Sequence, residues 1–183
     1  MLLPFMKDGF DCGHKAIHVV NPDQRADHLR RLDAAGIDTT ATAERGQFEL
    51  RSSTETYIRD GRFDQDRMLA VFEQFASGNA THPFPLSRIV CRMDWLAEGR
   101  AFVDDVIEFE SRVNDVWRRH HDAVICTYRL EQFSGDTVID IMRTHPMVII
   151  SAASFSGTPS SCAEQFLPEL RARRAKRPGD VAV

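Results

Sequence analysis

Two short apolar runs do most to limit what this chain can fold into. Ile89 to Trp95 reads Ile-Val-Cys-Arg-Met-Asp-Trp, and Ala123 to Arg129 reads Ala-Val-Ile-Cys-Thr-Tyr-Arg. Each carries a cysteine inside an apolar stretch and ends in polar or aromatic groups. Short runs rich in Val and Ile suit strands covered on both faces, as in a parallel sheet flanked by helices. In open α/β sheets, ligands bind outside the carboxyl ends of the strands. A pocket is therefore expected near Met93-Asp94-Trp95 and Thr127-Tyr128-Arg129.

The remaining segments fit that frame. Leu2 to Cys12 is expected to be a helix ended by Gly13, and Lys15 to Val20 a strand. Asn21 and Pro22 suit the cap and first turn of a helix running to about Ala35. Thr39 to Arg45 is a further short helix, and Gln47 to Arg51 a strand. Ser52 to Phe63 reads as a polar connection with a turn at Asp60-Gly61. Helical spacing recurs in Asp64 to Ala76, where Met68, Leu69, Phe72 and Phe75 share a face, and in Val103 to Arg119. Gly78 to Pro85 is a loop, as is the stretch through Gly99. Asp136 to Arg143 is a short helix, Pro146 to Ile150 the last strand, Ser151 to Ser161 a loop, and Cys162 to Lys176 a closing helix before a frayed tail. Alternating strands and helices predict an α/β fold, mainly parallel, with helices on both faces. At 183 residues the chain suits one domain: residues 1–161 form its body and 162–183 its terminal helix and tail.

A formal net charge of −4 gives no drive toward nucleic acid or anionic membrane. No apolar run approaches the length of a membrane-spanning helix, and the first residues do not read as a signal peptide, so the cytoplasm is the expected compartment. Cys12, Cys91, Cys126 and Cys162 lie far apart and read as reduced, packed thiols.

The chemical signals centre on the helix Val103 to Arg119. Val103, Val106, Ile107, Val113, Val116 and Trp117 form one stripe, and Glu110 falls in its middle, with Asn114 one turn on. Glu108 and Arg112 are expected to point away. A carboxylate in an apolar stripe must be paired, hydrogen-bonded or protonated. Either an arginine such as Arg88 or Arg92, or backbone amides, ties it down, or it walls a ligand pocket with Asn114. Tyr57, Trp95 and Tyr128 could line such a pocket or simply pack. Asp94, ending an apolar strand, resembles in position the metal-holding acid of a P-loop ATPase, but the phosphate-loop motif G-x-x-x-x-G-K-[ST] is absent. The spacing of His120-His121, His145 and Cys126 matches no standard metal site, so no metal and no other cofactor is expected.

Taken in order, several segments resemble a known family: Leu2-Leu3-Pro4-Phe5 with Gly9; His18 to Pro22; Ala34 to Asp38; Thr54 to Tyr57 with Asp60 to Asp64; Arg92 to Trp95; Glu108 to Asn114; Cys126-Thr127-Tyr128; and Arg143 to Pro146. The family is the MEDS domain, the sensory domain of methanogens and of dichloromethane-responsive regulators of methylotrophs. The resemblance implies a RecA-like three-layer α/β sandwich without a working P-loop. It implies a non-catalytic domain that senses a small organic, hydrocarbon-derived ligand and signals through a partner such as a kinase or transcription regulator, with no direct nucleic-acid or membrane contact; a homodimer is compatible with it. Carried onto this chain, it favours Tyr57, Asp94, Trp95, Glu110, Asn114, Cys126 and Tyr128 as the ligand-binding set. Family members usually begin one strand earlier, so a gap, an altered strand order or an open edge is expected. Two other readings stand beside this one: a degenerate RecA-like nucleotide-binding domain, and a protein-interaction module with a vestigial pocket.

Overall fold

The computed structural model describes residues 2–77, 84–98, 102–150, 153–156 and 163–176. In chain order, α1 (Leu2–Asp11) leads into β1 (Lys15–Val20). A 3-10 turn, Pro22–Gln24, opens α2 (Arg25–Ala34), followed by α3 (Thr39–Glu44) and β2 (Phe48–Ser52). Helix α4 (Ser53–Tyr57) runs into β3 (Ile58–Arg59) and β4 (Arg62–Phe63), then α5 (Gln65–Ser77). Next come β5 (Ser87–Arg92), α6 (Trp95–Glu98), α7 (Val103–Arg119) and β6 (Ala123–Thr127). The chain continues with a 3-10 turn at Leu130–Gln132, α8 (Gly135–Thr144), β7 (Met147–Ile150), β8 (Ala153–Ser156) and α9 (Ala163–Lys176).

Four strands form one parallel sheet in the order β2-β1-β5-β6. Alternation along each strand divides the core in two, because successive side chains leave opposite faces. Ile17, Val19, Ile89 and Cys91 enter a large cluster with Met68 and Phe72 of α5 and Val106, Phe109 and Val113 of α7. Ala16 and Val90 enter a second cluster with Met6 of α1 and Leu32 of α2. Both faces of the sheet are thus covered at β1 and β5, which is why the run at Ile89 is apolar; β6, the second run, is only half-buried, against the expectation of cover on both faces. The expected α/β sandwich is what forms.

The sheet closes without a gap. Strand β6 has a described partner on one side only, in β5, and its side chains are half-buried or exposed.

Several local expectations are corrected. Pro146 to Ile150 does not join the parallel sheet. Met147–Ile150 pairs antiparallel with Ala153–Ser156, inside the stretch expected to be a loop. The following strand lies close enough in sequence for a hairpin, which a parallel crossover does not allow. Ser52 to Phe63 is also more ordered than a polar connection. It holds α4 and a hairpin, β3–β4, whose two-residue turn is Asp60-Gly61 with φ of 53° and 73°. Positive φ at both central residues matches the twist of the flanking strands, and Asp-Gly tolerates it. The strand expected over Ile89 to Trp95 spans Ser87–Arg92, and Trp95 begins α6 instead of ending the strand. Glu108 does not point to solvent: it is buried and receives a hydrogen bond from Arg171 of α9. Helix α9 covers that side of α7, so α7 is buried from Val106 through Ser111. The Gly78 to Pro85 loop mostly lies outside the described residues, as do residues 99–101, Cys162 and the tail from 177.

Gly9 gives a direct test of one helix–sheet contact. A Cβ there would lie 2.6 Å from Arg88 Cδ. Arg88 is fixed by the Phe5 carbonyl, His14 and Asp8, so it cannot swing aside freely. Gly9→Ala is expected to lower stability by about 1 kcal/mol net, even though alanine favours the helix by a similar amount. Chemical denaturation of the two proteins measures it; a stabilised variant would show that Arg88 yields.

Candidate functional site

Glu110 is the centre of the site. Its carboxylate is buried on the sheet side of α7. Neither Arg88 nor Arg92 reaches it among the described contacts. Tyr128 donates its hydroxyl to Glu110 Oε1. Thr144 Oγ1 stands 3.4 Å from Oε2 and His145 Nε2 3.6 Å from it. Tyr128 stands just past the end of β6, and Thr144-His145 form the corner after α8. Two segments far apart in sequence therefore converge on one acid. Burial, then the Glu110 charge, holds the Tyr128 phenol well above its usual pKa, so it stays a donor.

Asn114, one turn on, donates Nδ2 to the Thr144 carbonyl at 2.6 Å and so fixes the α8 corner to α7. Cys126, in β6, sits beside Cys91 in register. Its thiol is pushed well above the usual range, first by its hydrogen bond with Cys91, then by burial and the Glu110 charge. Cys12, Cys91 and Cys126 form no disulfide; Cys91 is buried and Cys126 half-buried, but Cys12 is exposed and not the packed thiol expected.

Between α7 and the edge strand β6 lies a cavity of about 210 Å³. Phe72, Phe109, Val113, Trp117 and Val124 supply most of its wall, and Glu110, Asn114, Asp122, Cys126 and His145 its polar groups; Tyr57 and Pro146 also border it. A larger hollow of about 400 Å³ lies between Arg62–Asp66 and the Asp105–Arg112 stretch. It is open and charged, and Arg112 there is already held by Gln65 and Asp66. The smaller cavity has the make-up of a ligand site: apolar walls with a few convergent polar groups.

The structure brings together five of the seven expected residues: Tyr57, Glu110, Asn114 and Cys126 border the cavity, and Tyr128 holds Glu110. It does not bring Asp94 and Trp95 there. Asp94 accepts hydrogen bonds from Gln24 Nε2 at 2.9 Å and Arg92 Nη2 at 3.1 Å. Trp95 is buried in the core, stacked on Tyr57 with ring centroids 4.8 Å apart. The cavity thus flanks β6 instead of capping the end of β5.

His145 was not among the expected contacts. Its spacing from Cys126 resembles no metal motif, yet the fold places one donor atom each of Glu110, Cys126 and His145 within 4.8 Å of one another. The usable signal was the Thr-His-Pro corner after an amphipathic helix, which turns the chain back toward α7.

A search of curated proteins finds no match to the chain. A family model does match, over residues 1–146: MEDS, the methanogen/methylotroph, DcmR sensory domain. The match spans every segment on which the resemblance was based, and it includes Glu110, Cys126, Tyr128 and His145. The chain belongs to the MEDS family of sensory domains.

Proposed function

We propose that this domain senses a small organic molecule held in the cavity between α7 and β6 and passes the signal to a protein partner, without catalysing a reaction. The observation that carries the reading is the cavity itself, apolar on most sides and polar at Glu110 and Asn114. A cavity of about 150 Å³ already holds a benzene-sized molecule, so this volume of about 210 Å³ suits a ligand of roughly six to nine heavy atoms. A sensory family suits a domain with a small-molecule pocket. Four cysteines far apart in sequence, with no disulfide-framework spacing, suit a cytoplasmic setting. No helix among the described residues is long and apolar enough to cross a membrane.

The route outward runs through the α8 corner. Asn114 and Glu110 both touch Thr144, and the strand that follows exposes Met147, Ile149 and Ile150. A ligand that displaces either contact biases the position of that corner, and a partner, such as a kinase or transcription regulator, reads the result.

A calorimetric and thermal-shift screen tests this. It covers short alcohols, aldehydes, carboxylates and halomethanes, with ATP plus magnesium as the separate arm for a nucleotide site. At least one small organic is expected to bind, and Glu110→Gln to weaken it at least tenfold, about 1.4 kcal/mol. Stabilisation by nucleotide alone, or a hit indifferent to Glu110→Gln, would sink the reading.

A further inference from the structure

We propose that Glu110, Cys126 and His145 bind a divalent cation of the zinc class, with a fourth coordination position open to the cavity. This goes beyond the sensory reading and does not need an organic ligand.

The donors are one carboxylate oxygen, one sulfur and one imidazole nitrogen, mutually within 4.8 Å. That mixed set suits zinc and similar borderline ions, whereas magnesium and calcium prefer all-oxygen sites. Tetrahedral zinc with bonds of about 2.0–2.3 Å places its donors roughly 3.3–3.8 Å apart. Glu110 Oε2 and His145 Nε2 already stand 3.6 Å apart. Cys126 Sγ has to close by about 1.3 Å at most, a side-chain adjustment.

The orientation of two of the three donors, His145 and Glu110, is fixed from behind. His145 Nδ1 lies 2.7 Å from the Ile141 carbonyl, which can only accept, so Nδ1 carries the hydrogen. In the neutral imidazole the lone pair is then on Nε2, facing Glu110 Oε2. A zinc-bound histidine is held in this same way, its other nitrogen donating to a backbone carbonyl. Tyr128 binds Glu110 Oε1 and leaves Oε2 toward the imidazole. Thr144 Oγ1 is nearer the Ile141 carbonyl, at 2.8 Å, than Oε2, at 3.4 Å, and gives its single proton to the carbonyl. With a carboxylate and a neutral imidazole, Oε2 and Nε2 face each other as two acceptors 3.6 Å apart. A cation between them resolves that arrangement; so does a proton on Nε2, and the experiment separates the two. When metal binds, Cys126 loses its proton to solvent and the thiolate takes the metal. Three protein ligands leave the fourth position for water or a heteroatom of a small ligand.

The test uses the full chain, stripped by a chelator. Zinc is titrated against a chromophoric competitor, and cobalt(II) serves as the spectroscopic probe. One equivalent is expected to bind, with a thiolate-to-cobalt charge-transfer band that Cys126→Ser removes. His145→Gln and Glu110→Gln are expected to weaken zinc at least about tenfold, and Cys12→Ser to leave it unchanged. Circular dichroism checks that each variant folds. A second measurement needs no variant: zinc should slow alkylation of Cys126, read by mass spectrometry. No stoichiometric binding, binding that survives Cys126→Ser and His145→Gln, or unprotected Cys126 would each overturn the site. Organic ligands are measured separately with chelator present, so failure of the sensory reading and failure of the metal site give different results.

Discussion

Lowering the pH from 8 to 5 is expected to destabilise the fold by about 2 kcal/mol for each of two buried histidines. His18 in β1 and His28 in α2 share a contact of 2.9 Å between Nδ1 and Nε2, and His18 packs against Phe10 and Phe48. Burial, and then His28 beside it, brings the His18 pKa down to about 3. Burial, and then the Arg92 charge, brings His28 to about 4; Arg31 adds to this and Asp27 opposes it. Both imidazoles are therefore neutral in the folded protein, while in the unfolded chain they take protons below about 6.5. Between pH 4 and 6.5 the unfolded state binds more protons, so stability rises with pH across that window and is level above it. The figure at pH 5 follows from 1.36 kcal/mol per pKa unit. Denaturation midpoints at pH 5, 6, 7 and 8 measure the slope. His18→Leu/His28→Leu is expected to flatten it, since leucine suits the aromatic surroundings and removes His18 Nε2, which has no partner among the described residues. A parent equally stable at pH 5 and 8 would show that the pair is protonated when folded.

That pair also shows where sequence reading stops. His18 lies inside an apolar strand, and His28 follows it by ten residues with nothing in the spacing to link them. Only the packing of α2 on β1 makes them partners. The fold class was readable, because a parallel sheet covered on both faces demands β-branched runs, and Ile89–Cys91 and Ala123–Cys126 meet that demand locally. Glu110 was readable too, because a charge inside an apolar stripe breaks a local rule. Its partners were not. Tyr128 stands 18 residues away and Thr144 34, and nothing in a helical or strand period connects positions so separated. Glu108 was misread for the complementary reason: a stripe reports one face of a helix, and α9 arrives later to bury the other. The Met147–Ile150 hairpin shows the same limit, since a four-residue apolar strand looks alike in a parallel sheet and in a hairpin.

Trp95→Ala is expected to remove about 3–5 kcal/mol of stability, the loss found when a large core aromatic is truncated. In a domain with 5–15 kcal/mol in total that is a large fraction, and it corresponds to a melting temperature lower by roughly 10 °C. The ring stacks on Tyr57, which is fully buried, and lies near Phe63, 6.3 Å between centroids. Truncation therefore leaves a void between α6 and the two aromatics and takes the support from Tyr57, which borders the cavity. Trp95→Phe separates packing from polar contact. The indole Nε1 is buried without a hydrogen-bond partner among the described residues, so phenylalanine keeps most of the stacking and removes an unsatisfied donor. Its expected change is under about 1.5 kcal/mol. If the tryptophan instead served a ligand through its N–H, Trp95→Phe would lose affinity at unchanged stability. Paired denaturation and ligand titration of both variants distinguish these outcomes. A large stability loss only in Trp95→Ala assigns the residue to the core that holds Tyr57 in place, and leaves ligand contact to the residues around Glu110.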